Sequence, residues 1–169
     1  MIHKPQADEH APYAAGYIGL VDTTDVIGLL EQLKDPTYKL FSCMSEEQAM
    51  HRYADGKWTL KQMLGHIIDT ERVFSFRAFV FSRENVELPG FDQEVYINNT
   101  DFNKRSIQDL ALEYKAVREA TLFLYRSFTD EQLVRKGIAS NYPVSVRALI
   151  YMTAGHELHH LKIVNEKYL

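Results

Sequence analysis

Near its C-terminal end the chain reads His156-Glu157-Leu158-His159-His160. These residues fit H-E-x-x-H, in which two histidines of one helix hold a zinc ion and the glutamate serves as general base. Positions four apart on a helix are neighbours, with Cβ atoms about 5–6 Å apart. That spacing lets two imidazoles reach one ion at about 2.0–2.1 Å from each nitrogen. His156 and His160 also lie on the apolar stripe of their helix, with Val146, Leu149, Met152, Thr153 and Ile163. An earlier helix carries His66 beside its own apolar stripe, flanked by Leu64 and Ile67. Helical bundles build metal sites in this way, from inward side chains on facing helices. The same spacing also suits core histidines hydrogen-bonded to one another or to carboxylates, and at this level both readings stand.

A zinc protease needs a third protein ligand, and in the common designs it lies downstream of the second histidine. Only nine residues follow His160. The extended form of the motif wants glycine at position 163 and histidine at 166, where this chain has Ile163 and Glu166. Glu166 lies on the same helix as the histidine pair, badly placed to reach the same ion. H-E-x-x-H is therefore expected to be a coincidence of letters, with Glu157 a solvated helix carboxylate. Asp69 and Thr70 lie one turn past His66, and Glu71 falls on the apolar stripe, where a bare carboxylate is costly. Glu71 is expected to be paired, with Arg77, Arg147 or a tyrosine, rather than catalytic. The loop Pro89–Gln93 reads either as a cover for a cavity, with Asp92 near its mouth, or as a turn with an aspartate cap. Cys43 is expected to be a small buried thiol and Trp58 a core anchor.

These residues need helices to position them, and the sequence supplies four. Asp22-Thr23-Thr24-Asp25 offers caps before VIGLLEQLK, with Pro36 as the expected stop. Thr59 precedes a run in which Leu60, Leu64, Ile67, Glu71, Phe74, Ala78 and Phe81 share one stripe. Ser106 precedes Ile107, Leu110, Ala111, Tyr114, Val117, Thr121 and Leu122, and Ser145 precedes the histidine helix. A short helix is expected to open at Ser45-Glu46-Glu47-Gln48 and end near Gly56, with a short turn at Thr129–Gln132 and a loop around Gly137, Asn141 and Pro143. The fold class is all-α: a four-helix bundle in one domain over residues 1–169, with an N-terminal arm over residues 1–20. The break over residues 85–105, with Pro89-Gly90 and Asn98-Asn99, is long enough to cross the bundle, so that helices two and three run parallel.

Composition narrows the partners. The 169 residues carry 19 Lys and Arg against 23 Asp and Glu, a net charge of −4, which gives no basic footprint for nucleic acid. The single cysteine allows no internal disulfide. No apolar run approaches the ~20 residues of a membrane helix, and MIHKPQADEHAPYAAGY lacks a signal-peptide core. A cytoplasmic protein is expected.

The ordered set Lys57-Trp58-Thr59-Leu60 with Leu64-Gly65-His66-Ile67-Ile68-Asp69-Thr70-Glu71, then Leu88-Pro89-Gly90-Phe91-Asp92-Gln93, then Gly155-His156-Glu157-Leu158-His159-His160 resembles the DinB/YfiT-like family of metalloenzymes. The resemblance spans residues 13–167. It implies a four-helix bundle of non-consecutive topology, usually a homodimer. It also implies one divalent metal, zinc or nickel, held by His66, His156 and His160. Asp69 and Glu71, by their positions past His66, and His159, beside His160, are candidates to support the ligands. His159 matches a position that is often histidine but is not the usual ligand. The activities implied are metal-dependent hydrolysis, or S-transfer from a low-molecular-weight thiol to a small-molecule substrate. A bundle that binds metal or a small ligand without turnover is the alternative reading, and a zincin-type protease a third.

Overall fold

Each long helix starts where a short polar side chain satisfies a backbone N–H that the helix leaves unpaired. The computed structural model describes residues 1–169. Asp25 accepts from the Gly28 N–H at 3.1 Å, Ser106 from Asp109 at 3.1 Å and Ser145 from Ala148 at 3.1 Å. Thr59 and Gln62 cap each other reciprocally at 3.1 and 3.0 Å. The elements in order are α1 (Ala15–Gly19), α2 (Val26–Ser42), α3 (Glu46–Ala49), α4 (Leu60–Phe81), β1 (Glu87–Leu88), α5 (Gln93–Asn98), α6 (Ile107–Arg126), α7 (Asp130–Leu133), β2 (Lys136–Ala139), β3 (Tyr142–Ser145) and α8 (Val146–Ile163).

Helices α2, α4, α6 and α8 form the bundle, and their cross-helix bonds fix its topology. Thr59 and Lys61, at the start of α4, bond Asn103 just before α6, and Glu71 meets Arg118, so α4 and α6 run parallel. Tyr168, beyond α8, donates to the Trp58 carbonyl, while His66 meets His156, so α8 runs antiparallel to α4. Met44 pairs with Gln108 and Glu31 with Arg126, so α2 and α6 are antiparallel. Helices α2 and α4 sit diagonally, each flanked by α6 and α8. The connection between α4 and α6 therefore leaves the far end of α4 and runs back along the length of the bundle to the end where α4 begins, as its length allows.

The apolar core falls into two clusters, and a polar layer separates them. On α4 one cluster takes Leu60 to Ile68 and the other Phe74 to Phe81. Thr70 and Glu71 lie between them. Thr37 on α2, Arg118 on α6, and His156, Glu157 and His160 on α8 lie at the same level, and all are buried. Apolar packing above and below thus clamps the polar layer.

Several local expectations are corrected. Pro36 does not end its helix, which runs on to Ser42. Pro36 and Gln32 face water, so the carbonyl that proline leaves unpaired can be hydrated, while Thr37 and Phe41 still pack inward. The expected loop over residues 136–145 is a β-hairpin, β2–β3, with β1 added in parallel. Its turn is made by Ser140 and Asn141, both at positive φ, 53° and 68°. Residues 85–105 hold β1 and α5 rather than irregular chain. Helix α8 has no wet face over Ala148–Glu157, all of which is buried, so it is the central helix of the bundle. Cys43 is exposed, not buried.

The first residues form two 3₁₀ turns and α1 and dock on β3 and α8. The anchor is Glu9, buried, which accepts from Arg147 Nε and Ser145 Oγ, both at 2.7 Å. Burial alone would raise the Glu9 pKa, but bonds from Arg147 and Ser145 overcome it and hold the carboxyl at about 2, below its ordinary 4.5. A depressed carboxylate stabilises the fold above its unfolded pKa and loses that contribution as pH falls towards its folded one. The thermal midpoint of wild type should therefore exceed that of Glu9→Gln at pH 6. The gap should close between about pH 4.5 and 2, as a pair of melting series would show.

Candidate metal centre

Gly65 and Gly155 precede His66 and His156, and both let another segment press against the helix at the level of the histidines. A Cβ at Gly65 would meet the Phe102 ring at 2.5 Å, and one at Gly155 would meet the Tyr17 carbonyl oxygen at 2.0 Å. The N-terminal arm thus lies directly on α8 beside the histidine pair, and Tyr17 packs edge-on against His156 and His159 at 5.5 and 5.3 Å.

The three imidazoles converge. His156 Nε2 lies 2.8 Å from His66 Nε2 and 3.0 Å from His160 Nε2, and the three side chains are buried. Burial, reinforced by the neighbouring histidines, pushes His66 down to about 4, His160 to about 3 and His156 well below its ordinary value. All three are then neutral at neutral pH, the form that ligates metal. Protons alone satisfy this arrangement poorly. A neutral imidazole nitrogen either donates one hydrogen or accepts one, so His156 Nε2 cannot make good bonds to both neighbours at once. A cation among the three nitrogens would satisfy all three lone pairs, and an all-imidazole set suits zinc, nickel, copper or iron rather than calcium or magnesium. The residues fit a metal ion.

Support behind the rings comes mostly from packing. Thr70 Oγ1 lies 3.4 Å from His66 Nδ1, and Trp58 tilts over the His66 ring at 4.9 Å. Trp58 is therefore a half-buried wall of the site rather than a core anchor. His160 Nδ1 is buried with no partner. None of the three candidates proposed for supporting roles hydrogen-bonds an imidazole. Asp69 is half-buried beside Arg72 at 3.5 Å, and burial raises its pKa. His159 packs edge-on against the His160 ring at 5.0 Å, outside the converging trio. Glu71 is paired, but with Arg118, a residue the sequence reading passed over.

Arg118 is the centre of a second buried cluster. Its Nε and Nη2 donate to the two Glu71 oxygens at 2.9 and 2.8 Å. Its Nη2 also reaches Glu157 Oε2 at 2.7 Å, and its Nη1 the Leu30 carbonyl at 3.0 Å. Thr37 and Tyr114 donate to Glu157 Oε1 at 2.8 and 2.5 Å. Glu157 is thus not a solvated carboxylate: it is buried, and both its oxygens are occupied by bonds that tie α2, α6 and α8 together. It has no free oxygen with which to activate water, so H-E-x-x-H here is a histidine pair plus a structural glutamate.

Two cavities flank the imidazoles. One, of about 180 Å³, is lined by His66 and His156 with Tyr17, Phe74, Arg77 and Phe91. The other, of about 230 Å³, borders His160 with Trp58, Glu94 and Tyr168. The Pro89–Gln93 loop serves both expected ends: Phe91 and Gln93 line the first cavity, while Asp92 caps α5 through Glu94 and Val95 at 3.0 and 3.3 Å.

A four-helix bundle with a parallel middle pair and three buried imidazoles shared between two facing helices defines a class of helical candidate metalloproteins. The chain belongs to the DinB superfamily, whose family model matches residues 29–164. It is 27% identical over 149 residues to a protein of Oceanobacillus iheyensis, covering 83% of this chain and 84% of the relative, whose name assigns it provisionally to the metal-dependent hydrolases. The fold is that of YfiT from Bacillus subtilis, at a TM-score of 0.78 and 17% identity over 98% of this chain and 91% of YfiT. That protein is described as a probable metal-dependent hydrolase with an unusual four-helix bundle topology. A DinB-like protein of the same organism, YjoA, matches at a TM-score of 0.61 and 20% identity over 83% of this chain and 87% of its own. No helix of the chain is long and apolar enough to cross a membrane.

Proposed function

We propose that the chain is a metal-dependent enzyme acting on a small molecule, with one divalent ion, zinc or nickel, held by His66, His156 and His160. The observation that carries this reading is the convergence of three buried, neutral Nε2 atoms beside two cavities. Three protein ligands leave positions open for water or substrate, the arrangement of catalytic rather than structural sites. Such an ion, when bound, brings the pKa of a coordinated water or thiol towards neutrality. The chain's own residues supply the rest. Trp58, Phe74 and Tyr17 wall the site and exclude water, and the apolar layers hold the imidazoles in register.

Hydrolysis is the activity to which the names of the relatives point. Transfer of a low-molecular-weight thiol is the second reading, on the family resemblance. The cavity bordered by His66 and His156 has no carboxylate in its lining, so deprotonation of either nucleophile there falls to the ion. A homodimer, on the family resemblance alone, and a cytoplasmic location, on the composition, belong to the same proposal. The test is turnover of a panel of esters, amides and thiol-plus-electrophile pairs by metal-loaded protein. Turnover lost on chelation and restored by zinc or nickel is the expected result. Tight metal binding with no turnover across the panel would make the chain a binding protein instead.

A further inference from the structure

We propose that Arg77 is an anion-binding residue of the His66–His156 cavity, so that the natural ligand is a small molecule with a carboxylate or phosphate at the end remote from the imidazoles and an apolar or aromatic body between. The inference rests on the metal-site reading only for which end of the ligand reacts.

Arg77 is unlike the other inward-facing arginines. Arg118 holds two carboxylates and Arg147 holds Glu9. Arg77 is 5% exposed, yet its one side-chain hydrogen bond goes from Nη2 to the Pro89 carbonyl at 2.8 Å, and no acidic side chain lies in the cavity it lines. Burial lowers its pKa, and no carboxylate is among the groups that act against the shift. A guanidinium has five N–H donors in a planar fork suited to carboxylate or phosphate. Keeping one buried without an anion is costly, and a ligand anion would remove that cost.

The position fits. His66, Thr70, Phe74 and Arg77 follow at spacings of four, four and three, on one face of α4. From His66 to Arg77 the helix rises about 16 Å, and helical side chains lean back towards the N-terminus. The guanidinium therefore stands on the order of 10 Å from the imidazoles. Phe74 and Phe91 line the cavity, which gives a ligand an aromatic contact in its middle.

The test is calorimetric titration of chelator-stripped and metal-loaded protein with hydrocinnamate, phenethyl phosphate and the neutral hydrocinnamamide, for wild type, Arg77→Gln and Arg77→Lys, with metal content measured on each. One of the two acids should bind stripped wild type at least about tenfold more tightly than the amide. Arg77→Gln should abolish that preference, and Arg77→Lys should keep part of it, with metal content unchanged in both. Whichever acid binds more tightly names the anionic group. Equal binding of acid and amide to wild type, an acid preference that survives Arg77→Gln, or no binding at all would overturn the inference. Acid binding that appears only after metal loading would also overturn it, while leaving the metal site intact. Acid binding through Arg77 in a protein that takes up no metal would uphold it while the metal reading failed. The acid–amide comparison on wild type stands even if Arg77→Gln does not fold.

Discussion

Arg118→Met should destabilise the protein by about 3–5 kcal/mol, the range for breaking a buried ion pair by removing one partner. Arg118 is 0% exposed and faces Glu71 and Glu157, both buried. Its removal leaves two carboxylates in the core with no cation paired to them, and leaves the Leu30 carbonyl without the Arg118 donor. All four bundle helices meet at this point, so the loss should appear as a lower midpoint in a cooperative urea transition. Adding Glu71→Gln to Arg118→Met should recover part of the loss, because one of the stranded charges is then gone. A loss below about 1 kcal/mol, the range for exposed pairs, would mean that the cluster is hydrated in solution.

The second large effect is on metal. His156 occupies the middle of the trio, its Nε2 within 3.0 Å of both other nitrogens. Removing an orienting partner behind a ligand already costs 10–100-fold in affinity, so losing the ligand in His156→Ala should cost more than about 100-fold. Any metal-dependent turnover should fall with it. Glu157→Gln separates this account from a zincin-type one. The variant should keep its metal and lose stability, since Glu157 accepts from Thr37, Tyr114 and Arg118. Full stability with activity abolished would instead give Glu157 the general-base role.

The four helices and the His156/His160 pair were legible because each carries a local signal: a cap, an apolar period, a spacing; the family resemblance joined His66 to the pair. The parallel middle pair was legible from the length of residues 85–105. Arg118 was missed, although it sits where the stripe Leu110, Tyr114, Leu122 expects an apolar residue. A charge in that gap is the sign of a buried pair. Its partner Glu157 reads as solvated only if α8 has the wet face of an ordinary amphipathic helix. A helix apolar almost all round is a central one, and its few polar side chains must then find partners. The β2–β3 hairpin was hidden by its turn, since Ser140-Asn141 lacks the glycine that usually marks two positive-φ residues. Pro36 misled because a proline on the solvent side of a helix costs less than one facing the core.

The most direct test of the central claim is elemental analysis of wild type and His66→Ala after purification. About one zinc or nickel per chain in wild type, lost in His66→Ala while the helical fold persists, is the result the three converging imidazoles predict. Wild type that takes up no divalent metal even after reconstitution would contradict it, and would return His66, His156 and His160 to the polar layer as core side chains.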